Sequence, residues 1–177
     1  VSAGDSARTA SDQPLARRVA IVTGVSRRVG IGMAVARRLV TLGADLLVTS
    51  WTAHDRDQPW GADPGGMEAV LAELNAQEAA PDPRSDLAPA AAPAGGRVAH
   101  LEVDFVDPDA PERVLAAAVE AYGHVDMLIC NHARSSDGGL GELTAAELDA
   151  VFAVNARAVL LLVQAFAARH DGRPGGR

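Results

Sequence analysis

The stretch "TGVSRRVGIG", residues 23–32, decides how this chain is read. It begins at the Thr-Gly end of the apolar run "RRVAIVTG" (17–24) and opens into residues of helical spacing, Ile31, Val35, Leu39 and Leu42, with Gly43 as the stop. A short apolar run with polar flanks predicts a buried parallel strand, and apolar residues recurring every three or four positions predict a helix. "ADLLVTSW" (44–51) predicts a second strand, so the region is one βαβ unit with a right-handed crossover. A glycine-rich turn from strand to helix aims unpaired backbone N–H groups and the positive end of the helix dipole at one spot. Such a spot suits phosphate, and the glycines let a pyrophosphate come close to the backbone.

The same rhythm continues downstream. "TAHDRDQPWGADPGG" (52–66) reads as a long polar loop, and "MEAVLAELNAQEAA" (67–80) as a helix. "PDPRSDLAPAAAPAGG" (81–96), rich in Ala and Pro, reads as a flexible insertion, because strand and helix signals resume directly after it. "RVAHLEVDF" (97–105) predicts a third strand, "PERVLAAAVEAYG" (111–123) a helix opened by proline, and "VDMLICNHA" (125–133) a fourth strand. The longest helix spans 143–170, with a capping box from Thr144 and Glu147. Its apolar stripe runs Leu148, Val151, Phe152, Val159, Leu162, Val163 and Phe166, widened by Leu160 and Leu161.

Composition narrows the class of function. At 177 residues the chain is long enough for one domain, here residues 17–177, behind a disordered polar arm at 1–16. A net charge of −7 argues against nucleic acid or an anionic membrane as partner. All 16 basic residues are arginine, and without lysine there is no P-loop of the GK[ST] type. The single cysteine, Cys130, permits no internal disulfide and fits a reducing compartment, read as the cytoplasm. The histidines at 54, 100, 124, 132 and 170 lack metal-ligand spacing, so no metal is expected. The N-terminus has no apolar signal core, and no run of about 18 apolar residues is expected to span a membrane.

A site for NAD(H) usually carries an acid at the end of the second strand, about 20 residues past the glycines. Here that place reads Thr49-Ser50-Trp51-Thr52, with no carboxylate before Asp55. Arg27 and Arg28 lie inside the loop and Arg56 follows the strand. Guanidinium groups hold a 2′-phosphate that an acid would repel, so the pattern favours NADP(H) over NAD(H).

Thr-Gly followed by Gly-Ile-Gly at 30–32, Asp104 closing the third strand, Asn-x-Ala at 131–133 closing the fourth, and "VNARA" (154–158) in the long helix together resemble the short-chain dehydrogenase/reductase family. The resemblance covers residues 17–177, and the loop with "WTAHDRDQPWGAD" is most similar to reductases of the 3-oxoacyl-carrier-protein type. It implies an α/β fold, a Rossmann-type doubly wound parallel sheet of which about four strands are present. It further implies hydride transfer between a nicotinamide and a small-molecule carbonyl or alcohol. By that resemblance Gly24, Ser26, Gly30, Ile31 and Gly32, with Arg27 and Arg28 beside them, would line the coenzyme's phosphates and ribose. Ser50 would sit at its ribose end. Asp104 and Phe105 would flank the adenine, and Asn131 and Ala133 would pass beneath the nicotinamide ribose. Asn155 corresponds to the family's helix asparagine, which holds a water linked to the catalytic lysine. Its place on the apolar stripe predicts a buried, hydrogen-bonded amide.

Three departures qualify the transfer. The loop is TG-x5-GIG rather than TG-x3-GIG. The usual Asn-Asn-Ala-Gly reads Asn131-His132-Ala133-Arg134, with His132 read as a packing residue at the strand end and Cys130 as a small buried hydrophobe. The family's Tyr-x-x-x-Lys pair is missing: the only tyrosine is Tyr122, no lysine exists, and Ser135 and Ser136 follow the fourth strand too closely to serve as the catalytic serine. The chain is therefore read as the coenzyme-binding part of an NADP-dependent oxidoreductase, truncated before its reaction centre. The alternatives are an inactive truncated paralogue that binds a dinucleotide or a partner, and, ranked last, another Rossmann-like enzyme such as a methyltransferase. Strand "VDMLIC" would form an apolar sheet edge, and the long helix at 144–170 would pack on its twin in a homo-oligomer.

Overall fold

A computed structural model describes residues 13–76, 96–135, 138–174 and 176. Four parallel strands, β1 (Val19–Val22), β2 (Asp45–Ser50), β3 (Val98–Glu102) and β4 (Met127–Ile129), lie in the order β3-β2-β1-β4. The helices are α1 (Ile31–Thr41), α2 (Thr52–Asp57), α3 (Gly66–Asn75), α4 (Ala110–Tyr122), α5 (Ala145–Phe152) and α6 (Ala158–Arg169). Residues 1–12, 77–95 and Ser136 lie outside the described residues, and with them most of the arm and of the Ala/Pro-rich insertion.

β1 is buried on both faces, which is why its four residues read as an unbroken apolar run rather than an alternating one. Ala20 and Val22 join Leu46 and Val48 under Met33, Ala36 and Val40 of α1 and Val70 and Leu74 of α3. Ile21 and Leu47 face the other layer, where Val114, Leu115 and Ala118 of α4 meet Ala158 and Leu162 of α6. Burying a side chain such as Ile21 or Leu162 contributes about 2 kcal/mol, so this two-sided packing dominates over any local propensity.

The chain turns back at β1. β1 pairs with β2 in the register Val19↔Asp45 to Val22↔Val48, and on its other edge with β4 in the register Ala20↔Met127 to Val22↔Ile129. β3 returns to the β4 side of the sheet through α4, so the carboxyl ends of β1 and β4 flank a topological switch point. Open α/β sheets bind ligands at such a crevice.

Several expectations need correction. The buried face of α1 is Gly32, Met33, Ala36 and Val40, and Ile31 is 78 % exposed, because the tight approach of Gly32 to the β1 turn fixes the helix rotation. The 52–66 loop contains the short helix α2. Residues 13–16 form a turn in which the Leu15 N–H donates to the Leu42 carbonyl, so this end of the expected arm packs on the domain.

The long helix is broken by a π-helical turn, Ala153–Arg157, which rotates the residues after it. Its buried face is Ala153, Val154, Ala158, Leu162 and Ala165, whereas Phe152 and Leu160 of the expected stripe are 68 % and 70 % exposed. The Thr144 hydroxyl accepts from the Glu147 N–H at 3.1 Å, but the Glu147 carboxylate leaves the expected capping box to pair with Arg134. One segment is, against expectation, long and apolar enough to cross a membrane by composition: Ala145–Arg169, 25 residues with mean hydropathy 1.8. Ala158, Leu162 and Ala165 pack that segment into the core.

Candidate coenzyme site

The site is built by what happens where β1 ends. Gly24 adopts φ +72°, a left-handed conformation that turns the chain away from the strand. A Cβ there would lie 2.8 Å from the His132 Cα, so β4 approaches the turn backbone to backbone. Asn131 fastens the two ends together, its Nδ2 donating to the Thr23 and Gly24 carbonyls, each at 3.0 Å. The buried Thr23 hydroxyl oxygen accepts the Asn131 N–H at 3.0 Å and the His132 N–H at 3.2 Å.

His132 has a defined proton position. Its Nε2 lies 3.1 Å from the Val154 carbonyl, which can only accept, so Nε2 carries the proton. In the neutral ring Nδ1 then accepts the Thr23 hydroxyl at 2.7 Å. Burial holds the imidazole below its usual titration range and favours this neutral form. The ring stacks on Phe105 with centroids 4.0 Å apart. Sequence reasoning treated His132 as strand-end packing; the structure makes it the link between β1, the Phe105 loop and the π-helical turn.

Around this junction a cavity of about 230 Å³ is lined by Gly24, Ser26, Thr49, Ser50, Trp51, His54, Asp55, Val103, Phe105, Asn131, His132 and Ala133. It is smaller than the roughly 300–1,000 Å³ of most small-molecule pockets, which gives room for one end of a dinucleotide rather than all of it. Arg27, Arg28, Gly30, Ile31, Gly32 and Asp104 are not on its wall. Asp104 instead accepts the Val106 N–H at 2.9 Å and shapes the loop after β3.

The glycine loop fits a pyrophosphate on independent grounds. A Cβ at Gly30 would meet nothing closer than the Arg27 carbonyl at 4.0 Å, so the missing side chain leaves open space in front of the loop. α1 begins there with no side-chain acceptor on its cap and no acid in its first turn, which leaves its leading N–H groups available to an anion. Gly32 serves the fold instead, since a Cβ would sit 2.5 Å from the Gly24 carbonyl oxygen.

The two loop arginines differ. Asp63 accepts from Arg28 at its backbone N–H (2.8 Å) and Nε (3.1 Å), forms an ion pair with its NH2 group at 2.9 Å, and also accepts the Gly65 N–H at 2.9 Å. The hydrogen bonds from Arg28 hold the Asp63 carboxyl down at about 2. Arg28 is thereby committed to tying the 52–66 segment to the glycine loop, while Arg27 forms no ion pair among the described residues. Arg56 is exposed on α2 and is not on the cavity wall. The acid missing from the end of β2 reappears one turn later as Asp55, on the wall because α2 folds back over the strand end. Neither Asp63 nor this placement of Asp55 has a signal in the sequence beyond the residue type.

Asn155 is exposed, not buried. Its amide grips the strip after β4 from both sides, Oδ1 accepting the Arg134 N–H and Nδ2 donating to the Arg134 carbonyl, each at 2.8 Å. Because both bonds are open to water, Asn155→Ala should cost no more than about 1 kcal/mol. A thermal melt checks this, and a loss several times larger would restore the buried-amide reading. Tyr122 donates its hydroxyl to the Leu46 carbonyl at 2.8 Å, far from the carboxyl ends of the strands. Cys130 is half-buried, and burial pushes its thiol up. Among the described residues no cluster of His, Cys, Asp or Glu is placed to hold a metal ion.

A four-stranded parallel sheet with helices on both faces, a glycine turn and a cavity at the switch point defines an α/β protein of the Rossmann type. Residues 66–177 match the family model described as short chain dehydrogenase. Versicolorin reductase 1 of Aspergillus parasiticus is 31 % identical over 160 residues, 90 % of this chain and 49 % of that protein. Among solved structures, a short chain dehydrogenase from Burkholderia cenocepacia in complex with NADP is similar with a TM-score of 0.67 at 31 % identity, covering 88 % of this chain and 52 % of the other. A blue fluorescent protein from a metagenomic library in complex with NADPH has a TM-score of 0.68 at 30 % identity, covering 89 % and 53 %. The chain belongs to the short-chain dehydrogenase/reductase family, and it spans about half the length of the curated relatives it matches.

Proposed function

We propose that this chain is the coenzyme-holding part of an oxidoreductase that uses NADP(H) and acts on a carbonyl or alcohol group of a small molecule. The observation that carries the reading is the cavity at the carboxyl ends of β1 and β4, continuous in sequence with a glycine loop open to phosphate. A bound nicotinamide supplies or takes the hydride. This chain's residues hold the other end: Phe105, packed on His132, walls the adenosine side, and Gly30 and the first turn of α1 meet the pyrophosphate. Arg27, free of any ion pair among the described residues, is the cation for a 2′-phosphate, and the NADP and NADPH complexes of two similar structures support that choice. The 3-oxoacyl-carrier-protein reductase type remains our reading of the substrate class.

A second reading is favoured by Asp55, whose place on the wall suits the ribose hydroxyls of NAD(H). A third is a dinucleotide-binding paralogue without catalysis, favoured by Tyr122 being engaged in the sheet. The exposed row Leu148, Phe152, Leu160 and Val163 suits a second copy of the chain, and the acidic net charge with a lone cysteine suits the cytoplasm. Titration calorimetry with NADP+ and NAD+ tests the assignment. NADP+ should bind more tightly, and Arg27→Gln should weaken it about tenfold while changing NAD+ less than twofold. Tighter binding of NAD+ by the unaltered chain would move the assignment to the Asp55 reading, and binding of neither would end both.

A further inference from the structure

We propose that His100, acting through Ser50, sets how the cavity discriminates the substituent on the 2′ position of an adenosine ribose. The proposal rests on the reading that an adenine dinucleotide occupies this cavity. Ser50 is the last residue of β2, only 2 % exposed, and lies on the cavity wall between Thr49 and Trp51. Its Oγ is 2.8 Å from Nε2 of His100, a residue of the neighbouring strand that is itself off the wall. The register explains the contact: Val48 pairs with His100 and Ser50 with Glu102, so the imidazole reaches forward along the same face by one pleat.

The chemistry follows from the single proton of a serine hydroxyl. When Nε2 carries a proton it donates to Ser50, and the Ser50 proton is released to a ligand acceptor such as a phosphate oxygen. When Nε2 is bare, Ser50 spends its proton on the ring and offers only lone pairs, which suit a ribose hydroxyl and oppose a phosphate. Burial holds the His100 ring below its usual titration range and so neutral, and the Glu102 carboxylate, which also accepts the Thr52 N–H at 3.2 Å, opposes that only in part. With the single proton of that neutral ring on Nε2, Ser50 is a donor aimed at a 2′-phosphate on a wall where the Asp55 carboxylate would otherwise oppose it. His100 is a positioning residue: Arg27 of the glycine loop supplies charge for a 2′-phosphate, and the His100–Ser50 pair supplies a hydrogen-bond donor.

Calorimetry on this chain with 2′,5′-ADP and 5′-AMP, which differ only in the 2′-phosphate, provides the test. Ser50→Ala and His100→Phe should each lower the preference for 2′,5′-ADP about fivefold, the worth of one hydrogen bond, with the affinity for 2′,5′-ADP falling more than that for 5′-AMP. The double variant should lose no more than either single one, because the two residues act as a unit. His100→Gln, whose amide can still donate, should recover most of the preference. An unchanged preference in His100→Phe, equal weakening of both nucleotides, additive losses, or no binding of either nucleotide by the unaltered chain would overturn the proposal. An unaltered chain that favours 5′-AMP would defeat the NADP(H) assignment alone, and the dependence of the ratio on His100 would still decide this inference.

Discussion

Gly32→Ala should lower the stability of the chain by about 3 kcal/mol and abolish measurable dinucleotide binding, whereas Gly30→Ala should leave stability unchanged and remove only the binding. The two positions are two residues apart in the same motif, and geometry separates them. A methyl group at position 32 would stand 2.5 Å from the Gly24 carbonyl oxygen and 2.6 Å from the Asn131 Nδ2. Relief requires the Asn131 amide to give up its bonds to the Thr23 and Gly24 carbonyls, the bonds that join β4 to β1. Overpacking costs about 1–3 kcal/mol and each lost hydrogen bond about 1 kcal/mol more. For a domain of this size the melting temperature should fall by roughly 6–12 °C. At position 30 the methyl group meets nothing closer than 4.0 Å, so it intrudes only on the space a pyrophosphate would take. Thermal melts paired with NADP+ titrations check both halves. Equal melting temperatures for Gly32→Ala and the unaltered chain would refute the close approach of α1 to the β1 turn.

Asp63→Ala ranks second, at about 2 kcal/mol. The substitution leaves the backbone N–H groups of Arg28 and Gly65 without their acceptor and the Arg28 guanidinium without its counter-charge. Arg28 is 39 % exposed, so water recovers part of the charge term and the backbone bonds carry most of the loss. The pH dependence has a definite sign. The Asp63 carboxyl is depressed from 3.8 to about 2, so the stabilisation is fully present above pH ~4 and is lost as pH falls from there through about 2. The difference in melting temperature between the unaltered chain and Asp63→Ala should be constant from pH 5 to 8 and shrink below pH 4. A difference that does not change on acidification would show that the carboxylate's charge contributes nothing. Coenzyme affinity should fall as well, since Asp63 anchors the backbone at Arg28 inside the glycine loop.

The sequence by itself determined the strand–turn–helix path through residues 19–41, the four parallel strands and the family. These rest on short-range physics: unbroken apolar runs mark strands buried on both faces, and glycine spacing marks where backbone must approach backbone. Tertiary structure alone decided the rest. Helix rotation is set by contacts made elsewhere, so α1 buries Met33 and Val40 while Ile31 is exposed, because Gly32 must sit on the β1 turn. The π-helical turn inserted at Ala153–Arg157 shifts the face of the long helix and brings Asn155 out to Arg134, which no periodicity records. The division of labour between Arg27 and Arg28 depends on Asp63, 35 residues further on, and the pairing of Ser50 with His100 depends on the register of two strands separated by α2 and α3. Identical side chains in adjacent positions thus receive different roles from partners that only the folded chain brings within hydrogen-bonding distance.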